Sequence, residues 1–159
     1  MISNKFLKIK EADNNGTPYY YAERLGKDSV AFILYDRESG RVGLIKEYKP
    51  PIEEYLYTAF GGSMDKEGAT PFEIMKDELR EEAGYELAAP TYVGSSFVST
   101  QMNQFCYLYF CDVTGIPQNK DIEENAEIVW LTIEDVVRGR DWKAITILTK
   151  MGLAKCTIY

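Results

Sequence analysis

The chain has 159 residues, 45% hydrophobic and 27% charged, which suits a single globular unit with a real core. With 25 acidic residues against 18 basic ones, its net charge of −7 argues against general affinity for nucleic-acid backbones. There is no histidine, which excludes Ser-His-Asp and Cys-His catalysis and any imidazole-bound metal, leaving proton transfer to carboxylates, Tyr, Lys or metal-bound water.

In chain order, residues 5–10 (KFLKIK) and 17–24 (TPYYYAER) flank Asn14-Asn15-Gly16 and predict an N-terminal β-hairpin. Two strands follow, SVAFILYD and RVGLIKEY, joined by residues 37–40, and then an extended piece, EYLYTAF, which runs into Gly61-Gly62. A helix is predicted next. Thr70 caps it, Pro71 suits its first turn, Glu73 completes a capping box, and Gly84 ends it in a left-handed conformation.

Beyond it, TYVGSSFVST and NQFCYLYFCDV read as strands, the second apolar on both faces and so central in a sheet. EIVWLT is a further short strand. Thr132 starts a short helix through Val137, and Asp141 starts a longer one that Gly152 stops. No repeat, low-complexity tract or linker divides the chain. The order of elements is α+β, with helices packed on a mixed sheet.

The acidic helix raises its own question. Glu78, Glu81 and Glu82 repel one another at helical spacing. Setting Glu78 at zero, Glu82 lies near about +40° and Glu81 near about −60°. The expected core stripe, Phe72, Met75, Leu79 and Ala83, spans about +60° to +140°. The carboxylates therefore border the predicted stripe, with no cation on their arc. Read alone, the cluster is either a solvated face or a site for a hard divalent cation, Mg²⁺ or Mn²⁺, which takes oxygen ligands.

The surrounding residues carry a resemblance. Gly61-Gly62, Gly68-Ala69-Thr70-Pro71 and Glu78-Leu79-Arg80-Glu81-Glu82-Ala83-Gly84-Tyr85 resemble a Nudix box. Asp77 stands where that pattern has Arg, Ala69 where it has its first Glu, and the loop is one residue longer. SVAFILYDRESGRVGLIKEYKPP with EEYLYTAFGG, and Glu123 to Glu127 before IVWLT, resemble the ADP-ribose pyrophosphatase-like branch.

This resemblance implies a Nudix-type α/β/α sandwich with a mixed sheet. The whole chain, 1–159, would be one domain, with 1–27 a hairpin extension and 28–159 the core. It implies a pyrophosphohydrolase that splits a nucleoside diphosphate linked to a group X, of ADP-ribose or nucleotide-sugar type. Glu78 and Glu82 would bind Mg²⁺ or Mn²⁺ directly, with Glu81 as third ligand or catalytic support and the Gly61 carbonyl as backbone ligand.

By the same resemblance, Glu124 is the first choice for general base and Glu127 the second. Lys49 and Lys46 occupy positions where the branch tends to have Arg near the phosphates, and Tyr20 of the hairpin is placed to stack on a base, with a homodimer as in related enzymes. ADP-ribose-specific members tend to carry a proline where this chain has Thr100, which leaves X open. A degenerate module that binds nucleotide or protein without turnover is the alternative.

The start of the sequence has no apolar run of signal-peptide length, and no later segment reaches the roughly 18 apolar residues of a membrane span. Cys106, Cys111 and Cys156 lack metal or disulfide spacing. A cytoplasmic protein without membrane or nucleic-acid partners is expected.

Overall fold

The computed structural model describes residues 6–24, 28–120 and 127–155. Among the described residues nine strands form one sheet: β1 (Leu7–Asn14), β2 (Thr17–Arg24), β3 (Ser29–Asp36), β4 (Arg41–Lys49), β5 (Glu54–Thr58), β6 (Phe60–Ser63), β7 (Pro90–Ser99), β8 (Met102–Asp112) and β9 (Ile128–Thr132). The helices are α1 (Pro71–Glu81), α2 (Ile133–Arg138) and α3 (Trp142–Lys150), and a 3₁₀ turn covers Pro50–Ile52.

The sheet's main path runs β1-β2-β8-β3-β4-β5, with β6 on β3, β7 on β8 and β9 on β4. It is mixed: β8 is parallel to β3 and β2, whereas β3 is antiparallel to β4 and β6. The β1–β2 hairpin turns through Asn15 and Gly16, both at positive φ, in the manner of a two-residue primed turn. β1 extends to Asn14, further than residue 10.

Alternation along β3 builds both layers. Val30, Phe32 and Leu34 join the α1-side core with Met75 and Leu79, while Ala31 and Ile33 join Ile147 and Leu148 of α3 on the other face. β8 repeats the pattern, with Tyr109 and Cys111 on one face and Cys106, Leu108 and Phe110 on the other. A strand covered on both faces is central, as its apolar run indicated. One helix thus covers one face and two cover the other, giving an α/β/α sandwich.

α1 begins as its capping box specifies. The Glu73 N–H donates to Thr70 Oγ1 at 3.3 Å, and the Thr70 N–H donates to Glu73 Oε2 at 2.8 Å. It ends where the Gly84 N–H donates to the Arg80 carbonyl at 3.2 Å, with Gly84 at φ 72°.

The buried stripe, however, is wider than expected and turned. Ile74 is buried and Phe72 is 49% exposed, at the end of the helix and tilted against Tyr109. Ile74 lies near about −40° on the same wheel, so the buried arc runs from there to Ala83. Glu78 and Glu82 fall inside that arc, not at its border. Among the described residues, no helix is long and apolar enough to cross a membrane.

Candidate active site

A cavity of about 530 Å³ opens where β6, the end of α1 and the start of α3 meet. Its size suits a nucleotide-sized ligand. Gly61, Gly62 and Glu82 line one side of it.

The two glycines of β6 are required for different reasons. Gly61 pairs with Ala31 of β3, and a methyl group there would stand 2.6 Å from the Val30 carbonyl oxygen. At Gly62 the same methyl would stand 2.0 Å from Glu78 Oε1. The missing side chain at Gly62 is the seat of the Glu78 carboxylate. Glu82 follows one helical turn later, its N–H donating to the Glu78 carbonyl at 2.8 Å. Its Oε2 is shielded from solvent and accepts no hydrogen bond, although the residue has other interactions.

Glu81 does not join them. Arg80 Nη2 donates to Glu81 Oε1 at 2.6 Å, an ion pair absent from the sequence reading, and the Glu81 side chain is 38% exposed. Among the described residues no group of three carboxylates is poised around one point. Two carboxylates are nonetheless a fitting set for Mg²⁺, which keeps several waters and takes one or two carboxylates plus substrate phosphates. The oxygen-only donors, Glu78, Glu82 and the β6 backbone, suit that ion or Mn²⁺.

The lysines separate by strand alternation. Ile45, Glu47 and Lys49 of β4 line the cavity; Lys46 points to the other face. Lys46 Nζ lies 3.5 Å from Glu127 Oε2 and 5.4 Å from the Tyr55 ring centroid, so Lys46 and Glu127 hold each other away from the cavity. Lys49 donates to Glu47 Oε2. Tyr20 is 59% exposed on β2 and does not line the cavity. Glu124 lies outside the described residues.

The cavity also holds residues that the sequence reading missed: Arg24, Glu47, Thr58, Gln104, Trp142 and Lys143. Arg24 reaches it from the last position of β2, where Nη2 donates to Ser63 Oγ at 3.0 Å. Glu47 alone was legible, by its two-residue spacing from Lys49; the others come from distant elements. Cys106 lines the cavity as well, but burial pushes its thiol above the ordinary range, so it is a neutral wall and not a nucleophile.

Beside the glutamates, the two departures from the box pattern acquire a physical account. Asp77 does not stand as unbalanced charge: Lys66 Nζ, from the loop before α1, donates to its Oδ2 at 2.5 Å, and Arg80 lies 3.6 Å from its Oδ1. The Lys66 hydrogen bond holds the Asp77 carboxyl below its usual range, and Asp77 raises the Lys66 ammonium in turn. Loop and helix are thus latched by a cation on the loop and an anion on the helix.

Reversing one charge, by Lys66→Glu or Asp77→Lys, is expected to lower turnover about two- to fivefold, the scale of an exposed pair. The double reversal should recover most of that loss. Steady-state rates and melting temperatures in a double-mutant cycle check it, and additive losses would show that the pair is incidental.

Comparison with known proteins follows the same lines. The model of the NUDIX domain matches residues 26–149. Among solved structures, that of an ADP compounds hydrolase superposes with a TM-score of 0.66 over 97% of this chain and 92% of that one, at 17% identity, a likeness of fold. No curated protein matches the chain in sequence.

Proposed function

The chain belongs to the Nudix family of pyrophosphohydrolases, and from that premise we propose that its cavity hydrolyses the diphosphate bridge of a nucleoside diphosphate linked to X, where X is a sugar of the ADP-ribose or nucleotide-sugar type. The observation that carries this reading is the seat of Glu78 against Gly62, with Glu82 one turn on at the cavity wall. Nothing in the folding of a helix against a strand requires a carboxylate there. A hydrophobic side chain would bury more cheaply.

In this reading Glu78 and Glu82 would hold the divalent cation, with the Gly61 carbonyl of β6 as backbone ligand. When bound, that cation supplies charge neutralisation and a lowered pKa for water, in a site that has no histidine. Arg24 and Lys49 receive phosphate oxygens, Arg24 with the forked geometry that Lys49 lacks. Glu47 keeps Lys49 oriented into the cavity. Glu124 is proposed as the base that takes the proton from the attacking water, on the sequence alone. Glu127 is a weaker choice, since it is held by Lys46. Glu81 supports the site only through the Arg80 charge network. We also propose that the protein is cytoplasmic and forms a homodimer.

The alternative, a module that binds without turnover, rests on Ala69 and Asp77. The pairing of Asp77 with Lys66 and Arg80 removes one of those grounds. The test is product detection across ADP-ribose, nucleotide sugars, NADH, diadenosine polyphosphates and nucleoside triphosphates, each with Mg²⁺, Mn²⁺ and EDTA. Metal-dependent release of two phosphorylated products from a diphosphate-linked sugar is expected. Binding without cleavage across the panel favours the alternative.

A further inference from the structure

Trp142 and Lys143 line the cavity at the start of α3, apart from the residues assigned to the cation, the phosphates and the proton. Their position is enforced. Asp141, only 8% exposed, accepts the Lys143 N–H on Oδ1 at 3.2 Å and the Ala59 N–H on Oδ2 at 2.5 Å. Ala59 separates β5 from β6, two residues before Gly61. One buried carboxylate therefore ties the start of α3 to the strand that seats Glu78.

Lys143 is poorly placed for stability. A cation in the first turn opposes the helix dipole. It also forms no salt bridge among the described residues. The other two cations of the cavity each have a side-chain partner, Arg24 in Ser63 and Lys49 in Glu47. Trp142 keeps 37% of its surface exposed and lines the same cavity as Lys143, so part of a large aromatic side chain is left uncovered there. Two buried polar side chains, Thr58 and Gln104, line the same space, which matches a hydroxyl-rich ligand better than a bare hydrocarbon ring.

We propose that Trp142 and Lys143 bind the X half of the substrate, the Lys143 ammonium taking an oxygen of the phosphate attached to X and the Trp142 indole covering the C–H face of a sugar ring. The inference rests on the reading of the cavity as a site for nucleoside diphosphate-X. It makes Trp142 the residue that selects a sugar-bearing X over a bare phosphate, and Lys143 a phosphate ligand indifferent to X.

The experiment uses ADP-ribose, ADP-glucose and ATP as probes, with the full chain, Trp142→Ala and Lys143→Gln. Dissociation constants come from calorimetry in Mg²⁺ at short times, and KM and kcat from steady-state rates. Lys143→Gln should weaken all three ligands about tenfold, the scale of a lost hydrogen bond to a charged group. Trp142→Ala should weaken ADP-ribose and ADP-glucose about tenfold and leave ATP unchanged.

Unchanged affinity for every probe in both variants overturns the inference, as does equal loss for ATP and the sugars in Trp142→Ala. The two readings fail separately. Turnover with unaltered KM in the variants keeps the hydrolase and rejects this subsite, whereas the expected affinity losses in a protein that cleaves nothing keep the subsite and reject the hydrolase.

Discussion

Glu82→Gln is expected to abolish most turnover while the fold survives. The substitution preserves shape and removes only the charge. The residue's backbone, which closes the last turn of α1 on the Glu78 carbonyl, is untouched. Its side chain lines the cavity, and Gln fills the same volume.

What it loses is the anionic oxygen that a divalent cation needs. Changing even an outer partner of a metal site costs about 10- to 100-fold in metal affinity or activity, so removal of a direct ligand should reach at least the upper end of that range. Circular dichroism should be superimposable, steady-state rates should fall below about a tenth of wild type, and raising Mn²⁺ should restore only part of the rate. A variant that keeps more than a tenth of its activity would remove Glu82 as an essential ligand and shift the burden to Glu78.

The features legible in the sequence were those decided within a few residues. The Thr70–Glu73 box, the Asn15-Gly16 turn and the left-handed Gly84 depend on local backbone chemistry, and each appears where the residues indicated. β8 was recognisable as central because both of its faces are apolar. The wheel of α1 failed at Phe72 because periodicity gives an angle and not a position along the sheet. Phe72 is in the first turn, beyond the core that Ile74 and Met75 enter.

The same limit governs the site. The spacing of the glutamates was legible, but the partner that takes Glu81 was not, since Arg80 neighbours it only through side-chain rotamers. Lys46 and Lys49 were both candidates near the phosphates, with a solvated strand end an equal reading for Lys46, and two-residue alternation separates them. Arg24, Trp142 and Lys143 reach the cavity from β2 and α3 through pairings with partners far away in sequence, such as Ala22 with Met102 and Asp141 with Ala59. Nothing local in the sequence announces such meetings.

Gly62→Ala is the sharpest test of why the site has this form. Gly62 does not need a left-handed backbone, so alanine is conformationally acceptable there. The nearest conflict is with one side chain: the new methyl would lie 2.0 Å from Glu78 Oε1, 2.6 Å from its carboxyl carbon and 2.7 Å from its Cγ. Glu78 is flexible at that end and can swing out, at a small cost in stability.

Its carboxylate would then leave its place against Gly62, so turnover should fall on the order of 10- to 100-fold with the melting temperature nearly unchanged. Gly61→Ala makes the contrast, because its methyl meets the Val30 backbone oxygen at 2.6 Å and must push β6 off β3, which costs stability first. In the Gly62→Ala background, Glu78→Gln should add little further loss, since the residue has already left its seat. Full additivity of the two, or wild-type rates in Gly62→Ala, would mean that Glu78 acts from somewhere other than the groove that Gly62 leaves open.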